Sequence, residues 1–130
     1  MKTKNKYYNA NPLGKETSDC VVRAITLLLD SDWDTVYKDL YEIGYRLKVM
    51  PNSDEAWKFY MKSKGIEYHA LKAVKGQKRM TVDKFTRTQD FQSGRYLLKV
   101  ANHLVTCVDG NSFDIWDCSH SCVYGYWTRK

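Results

Sequence analysis

The fold of this chain is decided first by residues 17–25, which read TSDCVVRAI. Two residue types that cap helices, Ser18 and Asp19, come before an apolar run, and this pattern starts an α-helix. Cys20 therefore lies at or just before the first helical turn. Unpaired backbone N–H groups and the positive end of the helix dipole favour an anion there. A thiol so placed ionises readily, and the thiolate is the nucleophilic form, so Cys20 is the candidate nucleophile.

Further helices follow this first one. The nucleophile helix is apolar around most of its circumference as far as Leu29, which predicts a buried central helix. Residues 31–47 repeat apolar side chains at i, i+3, i+4 and i+7, the pattern of an amphipathic helix. A third helix begins after Pro51 and stops at Gly65. Residues 81–89 predict a short fourth helix.

The C-terminal part of the chain reads as β-structure. Residues 66–70 predict one short strand, and residues 1–16 predict an extended arm without regular structure. Four later segments are rich in β-branched and aromatic residues and are separated by turn formers: 96–100, 103–108, 113–116 and 122–127. The sequence thus predicts one α+β domain over residues 1–130, with the N-terminal helices packed on a C-terminal antiparallel sheet.

A hairpin turn at residues 109–111, DGN, determines which side chains share a face with His103. A three-residue loop pairs His103 with Asp117 and places both on a mostly apolar face that can pack on the nucleophile helix. A two- or four-residue loop pairs His103 with Trp116 or Cys118 instead and turns Asp117 away. We favour the three-residue loop.

The predicted site is a Cys-His-Asp triad. His103 takes the proton from Cys20, and Asp117 holds the imidazole in the required tautomer and stabilises its charged form. Asp114 is the rival acid, but on the favoured register it lies opposite Thr106 on the other face of the strand, and in any register it is expected to lie too far along the strand from His103. These roles describe nucleophilic catalysis by a thiol.

The same residues resemble the papain-like cysteine peptidase fold. The nearest likeness is to the bacteriocin-leader-processing peptidases and to related small bacterial and phage proteins. Asp19-Cys20 resembles the nucleophile motif, residues 94–110 resemble the histidine hairpin, and Ile115-Trp116-Asp117 resembles the strand that bears the acid. The resemblance implies a papain-like thiol hydrolase that acts on a peptide or protein substrate, as a peptidase, isopeptidase or amidase, without a cofactor.

One feature departs from the family pattern. Papain-like peptidases usually carry a Gln several residues before the nucleophile as an oxyanion donor, and this chain has no Gln before Cys20. The backbone N–H of Cys20 supplies one donor, and Asn11 or Asn9 in the N-terminal arm is the candidate for the second. Because this fold includes members that have lost catalysis, the alternative is an inactive papain-like binding module.

Charge bears on that alternative. A formal charge of +6 suits an acidic protein or nucleic acid as partner. The basic residues are nevertheless dispersed, with no block of five or more like charges. Nucleic acid is therefore possible but not favoured, and its best support is the basic loop 72–80 with Lys75, Lys78 and Arg79.

Other classes of protein are not favoured. No apolar run approaches the roughly 20 residues that span a bilayer, and no signal peptide follows the basic N-terminus. We therefore expect a cytoplasmic protein without membrane contact, whose four cysteines stay free thiols.

A zinc site is a further possibility, because Cys and His are usual zinc ligands and the chain carries Cys118, His120 and Cys122, with Cys107. These residues lack a second ligand pair at a recognised spacing. We predict no metal site.

Overall fold

A short strand, three helices and a second strand precede a fourth helix and a run of four strands in a computed structural model that describes residues 3–129. Within that range there are four helices: α1 (Cys20–Leu28), α2 (Trp33–Leu47), α3 (Asp54–Ser63) and α4 (Val82–Arg87). The six strands are β1 (Asn5–Tyr7), β2 (Glu67–Ala70), β3 (Arg95–Val100), β4 (His103–Val108), β5 (Asn111–Asp114) and β6 (Gly125–Thr128). They form one sheet in the order β1-β5-β4-β3-β6-β2. The predicted α+β class is confirmed, and no helix within residues 3–129 is long and apolar enough to cross a membrane.

Strand β1 makes the sheet mixed. It pairs in parallel with β5, with Lys6 opposite Phe113, whereas the other strand pairs are antiparallel. The predictions of an irregular arm and of a wholly antiparallel sheet are therefore wrong at this edge; residues 1 and 2 of the arm lie outside the described range. The physical reason is that β5 would otherwise present unpaired backbone groups, and Ser112 donates its N–H to the Lys4 carbonyl.

Helix α1 is the buried central helix that the sequence predicts. Ile25 and Leu28 have no exposed surface and pack in one cluster with α2, α3 and Leu104 of β4. Burying each of these side chains stabilises the fold by about 1.5–3 kcal/mol. The hydroxyl of Thr106 donates a 2.6 Å hydrogen bond to the Ala24 carbonyl. Packing and hydrogen bonding therefore fix α1 on one face of β4.

The other face of β4 belongs to a second apolar cluster. Val105 and Cys107 pack there with Val82 and Phe85 of α4. The prediction that the face carrying His103, Val105 and Cys107 packs on the nucleophile helix is therefore wrong.

The hairpin between β4 and β5 has a two-residue loop. Asp109 and Gly110 have φ angles of +48° and +80°, and positive φ at both central residues is the requirement of a type I′ turn. Val108 consequently pairs with Asn111. The favoured three-residue loop is wrong by one residue.

This shift of one residue in register reverses the two faces of β5. A shift of one residue moves every side chain of a strand to the opposite face. Extending the observed register by one pair places Asp114 opposite Val105, on the same face as His103. Asp117 lies beyond the end of β5.

Gly44, which lies within the apolar repeat of α2, leaves room for the chain that follows this helix. A Cβ at Gly44 would lie 2.8 Å from the Val49 carbonyl oxygen and 3.1 Å from the Pro51 nitrogen. Helix propensity alone favours Gly44→Ala by roughly 1 kcal/mol. Backbone atoms cannot move aside as a flexible side chain can, so we expect Gly44→Ala to lower the free energy of unfolding by about 1–3 kcal/mol. Urea unfolding measures this, and an unchanged or higher stability would contradict the close approach.

Candidate active site

Cys20 is the first residue of α1, and its side chain is partly exposed. The sulfur hydrogen-bonds with the side chain of His103 and with the backbone N–H of Leu104. Burial acts to raise the pKa of this thiol, but those two hydrogen bonds and the positive charges of His103 and Arg23 outweigh it. The pKa of Cys20 therefore lies below its ordinary value, and the nucleophilic form is favoured.

His103 is the first residue of β4, at the end of the sheet. Its Nε2 lies 2.5 Å from Oδ2 of Asp114, which leaves Nδ1 for a sulfur partner. Burial acts to lower the pKa of His103, but hydrogen bonds with Asp114, Cys118 and Cys20 raise it to about 11. At neutral pH the pair is therefore biased towards a thiolate beside an imidazolium.

The acid that contacts His103 is Asp114. The predicted contact with Asp117 is therefore wrong, and so is the expectation that Asp114 lies too far along the strand from His103. Asp117 is exposed, and its carboxylate accepts hydrogen bonds from the backbone N–H of Ser119 at 2.9 Å and from the hydroxyl of Thr3 at 2.6 Å. The physical reason is the two-residue loop, which brings Asp114 to the face of His103. The dipeptide Asp109-Gly110 is itself a type I′ signal, so the sequence carried evidence for this register.

Asp114 is buried and is held through both of its oxygens. Oδ1 accepts from Arg23 Nη2 at 3.0 Å and from the backbone N–H of Ile115 at 2.7 Å, while Oδ2 faces His103. A carboxylate so fixed can orient the imidazole in the way a triad acid does.

Asp19, one of the two predicted capping residues, occupies the N-cap position of α1, but its side chain makes no capping hydrogen bond. The carboxylate pairs instead with Arg23 and accepts a 2.9 Å hydrogen bond from the indole of Trp33. Arg23 was not among the residues predicted for the site. A charged residue within a helix that is apolar on nearly every side was the available signal.

Two further neighbours of His103 were also missed as site residues. The half-exposed ring of Trp116 lies 4.7 Å from the imidazole, measured between ring centroids. Cys118 is buried and hydrogen-bonds with His103. Trp116 thus packs beside the imidazole, and Cys118 is a second thiol next to the same ring.

The possibility of a metal can be judged from the same geometry. In the part of the chain that the structure describes, the one group of potential ligands comprises His103, Asp114 and Cys118, whose ligand atoms lie within 4.8 Å of one another. It includes neither His120 nor Cys122. These ligand types suit zinc, but a ligating His must be neutral. The raised pKa of His103 and the pairing of both Asp114 oxygens favour acid–base chemistry at this position.

A groove of about 650 Å³ lies beside the segment that precedes Cys20. Asn11, the candidate oxyanion donor, lines it, and its side-chain oxygen accepts from the backbone N–H of Leu13 at 2.9 Å. The amide nitrogen of Asn9, the other candidate, donates to the Lys15 carbonyl. The oxyanion role of Asn11 stays a prediction. Other side chains along the groove are those of Thr17, Ser18, Trp33, Tyr37 and Met50.

The basic loop 72–80 is only partly available to a partner. Lys75 and Lys78 are exposed. Arg79 is partly buried, donates to the Leu71 carbonyl at 2.9 Å and lies 4.9 Å from the ring centroid of Tyr124. Arg79 therefore stabilises the local chain, and the exposed cations of this loop are Lys72, Lys75 and Lys78.

Comparisons with known proteins found no match, so the geometry of the site is the basis for assigning a function. The chain matches no protein-family model, no curated protein and no solved structure.

Proposed function

We propose that this protein is a papain-like thiol hydrolase that cleaves a peptide, isopeptide or related amide bond. Cys20 is the nucleophile, His103 is the base, and Asp114 replaces Asp117 as the acid that orients the base. The observation that carries the proposal is the imidazole of His103, whose Nε2 lies 2.5 Å from Asp114 and which also hydrogen-bonds the thiol at the start of α1. A nucleophile and a base in contact, with the base oriented by a third group, is the arrangement of covalent catalysis.

The chemistry follows from the bias towards the ion pair. The Cys20 thiolate attacks the carbonyl carbon of the substrate amide and forms a tetrahedral intermediate. The imidazolium of His103 then donates its proton to the leaving nitrogen, so the C–N bond breaks and a thioester remains on Cys20. Water, deprotonated by His103, attacks the thioester, so the C–S bond breaks, the carboxylic acid is released and the thiolate–imidazolium pair is restored.

Charge that develops on the carbonyl oxygen needs donors. The backbone N–H of Cys20 is one of the first groups of α1 and has no partner within the helix. It can donate to the oxyanion. The side-chain amide of Asn11 is the proposed second donor, because Asn11 lines the groove that reaches Thr17 and Ser18.

The arrangement of elements supports a papain-like domain. The nucleophile opens a buried helix, the base begins a strand, and the acid ends the strand next to it in the sheet. Helix α1 packs against that sheet in a single apolar cluster. Three distant parts of the chain are thereby held together at one end of α1.

The test of this proposal is the selectivity of alkylation by iodoacetamide, because Cys122 serves as an exposed thiol for comparison within the same chain. We expect Cys20 to be modified several times faster than Cys122 at pH 6, since its pKa is lowered and more of it is thiolate. The advantage should shrink as the pH rises, because any thiol forms more thiolate at higher pH. Mass spectrometry of peptides after timed quenching measures both rates.

Matched variants identify the reactive site. Cys20→Ser should remove the fast modification, and Cys122→Ser should leave it unchanged. Turnover of a pool of short peptide amides, lost in Cys20→Ser, would extend reactivity to hydrolysis. Modification of Cys20 no faster than Cys122 at pH 6 would refute an activated thiol.

The alternative proposal is a catalytically silent binding module on the same scaffold, for an acidic protein or nucleic acid. The exposed Lys75 and Lys78 support it. In a module without an activated thiol, Cys20 is modified no faster than the more exposed Cys122, so the alkylation experiment separates the two proposals.

A further inference from the structure

We infer that Arg23 is a positioning residue of this site: it fixes the carboxylate of Asp114 relative to the nucleophile helix, so that His103 keeps its orientation between Asp114 and Cys20. This inference rests on the proposed roles of Cys20 and His103 and adds a residue that acts through them.

The contacts of Arg23 connect the two sides of the site. Nη2 lies 3.0 Å from Oδ1 of Asp114 on β5, and Nη1 donates to the carboxylate of Asp19 and, at 3.3 Å, to the carbonyl of Thr17. The side chain is buried, with 4% of its surface exposed. One guanidinium therefore joins the segment before the nucleophile to the strand that bears the acid.

The position of Arg23 on α1 adds to this role. Arg23 lies three residues after Cys20, and residues at this spacing are neighbours on a helix surface. A movement of α1 along the sheet would therefore displace the thiol and the anchor of Asp114 together. The distance between Cys20 and Asp114 therefore depends on the helical turn that separates Cys20 from Arg23, rather than on the conformation of loops.

The shape of the guanidinium explains why an arginine is present. Its planar fork directs donors to separate acceptors at once, whereas the ammonium of a lysine is a flexible point charge. With Oδ1 of Asp114 held by Arg23 and by the backbone N–H of Ile115, Oδ2 is directed to His103. Asp19 is itself held by the indole of Trp33. Through Asp19, Trp33 therefore also holds the guanidinium of Arg23 in place.

A purely electrostatic role is the competing explanation, because the positive charge of Arg23 also favours the Cys20 thiolate. The other charged or titratable groups that act on this thiol are His103 and, through it, Asp114 and Cys118. The carboxylate of Asp19, the residue before Cys20, pairs with Arg23. Positioning and charge alone predict different results for two substitutions.

The first substitution is Arg23→Lys, which keeps the charge and removes the fork. Positioning predicts slower alkylation of Cys20 at pH 6, by several-fold, and a higher midpoint in the plot of rate against pH. Charge alone predicts no change in either. The matched control is Arg95→Lys, because Arg95 also joins the sheet to α1, through the Leu27 carbonyl and Asp30, but at the other end of the helix. Arg95→Lys should leave the midpoint where it is in the parent.

For the second substitution, Asp19→Asn, the two explanations predict shifts of the midpoint in opposite directions. It removes a negative charge near the thiol, so charge alone predicts a lower midpoint and faster alkylation at pH 6. Positioning predicts a higher midpoint and slower alkylation, because the guanidinium loses its ionic anchor. Circular dichroism and thermal unfolding establish which variants fold, and Asp19→Asn decides the question if Arg23→Lys does not.

The outcomes separate this inference from the proposed function. If the parent protein shows no preference for Cys20 over Cys122, the proposed function fails. If the parent shows that preference while folded Arg23→Lys matches Arg95→Lys, or while Asp19→Asn lowers or leaves the midpoint, the function stands and the positioning role of Arg23 is overturned.

Discussion

Replacing His103 with alanine is expected to lower the hydrolysis of a peptide amide by about 10²- to 10⁴-fold, the usual contribution of a positioned acid–base group. The imidazole is the hydrogen-bond partner that stabilises the thiolate, and it is the group that protonates the leaving nitrogen. Without it the pKa of Cys20 rises, because burial then acts with less opposition. The midpoint in the plot of alkylation rate against pH should therefore move to higher pH.

The control for this prediction is His120→Ala. His120 is exposed and contributes no ligand atom to the group formed by His103, Asp114 and Cys118. We expect its alkylation profile and turnover to match those of the parent. A His103→Ala protein that folds and still alkylates Cys20 at the parent rate at pH 6 would show that the imidazole does not activate the thiol.

Replacing Asp114 with asparagine is expected to have the second large effect. The amide keeps the shape of the carboxylate but loses its charge, and an amide N–H turned to Nε2 favours the wrong tautomer of His103. In a Ser-His-Asp enzyme the corresponding change lowers kcat by about 10⁴-fold, and we expect a loss of at least about 10²-fold here, within the range for acid–base groups. Turnover of a peptide amide and the pH profile of alkylation measure it.

The matched control is Asp117→Asn, three residues further along the chain. Asp117 is exposed and bonds Ser119 and Thr3 rather than His103. We expect its turnover to stay close to that of the parent. A loss in Asp117→Asn that equals or exceeds the loss in Asp114→Asn would mean that the acid on His103 is not Asp114.

Asp114→Asn also removes charge from a buried network, so its stability needs a separate measurement. Arg23 is then left with Asp19 as its ionic partner. Breaking a buried pair by removing one partner is destabilising by about 3–5 kcal/mol, and a neutral isostere that still accepts a hydrogen bond should cost less. Kinetic comparisons therefore belong well below the melting temperature of the variant.

Local sequence signals were sufficient to predict the nucleophile helix. Capping residue types before an apolar run predicted a buried helix with Cys20 at or just before its first turn, and α1 begins at Cys20. The ranges of α2 and α3 also follow from apolar spacing and from turn residues. Such signals act over a few residues, so the chain around each helix contains most of the information that specifies it.

The identity of the acid depended on a single residue of register. The turn at 109–111 was read from the sequence, but a loop of two or of three residues remained possible, and the two alternatives place opposite faces of β5 towards His103. The positive φ angles of Asp109 and Gly110 select the shorter loop. With the shorter loop, the acid that faces His103 is Asp114 rather than Asp117.

By itself, the sequence determined the class of fold, the helix that carries Cys20 and the strand that carries His103, because these follow from the periodicity and turn chemistry of neighbouring residues. Tertiary structure alone decided the strand pairing of β1, the choice of Asp114 and the pairing of Arg23 with an acid 91 residues away. Local propensity carries no information about such partners. A buried charge must find its counter-charge wherever packing places one, and here that place is the end of β5 beside the nucleophile helix.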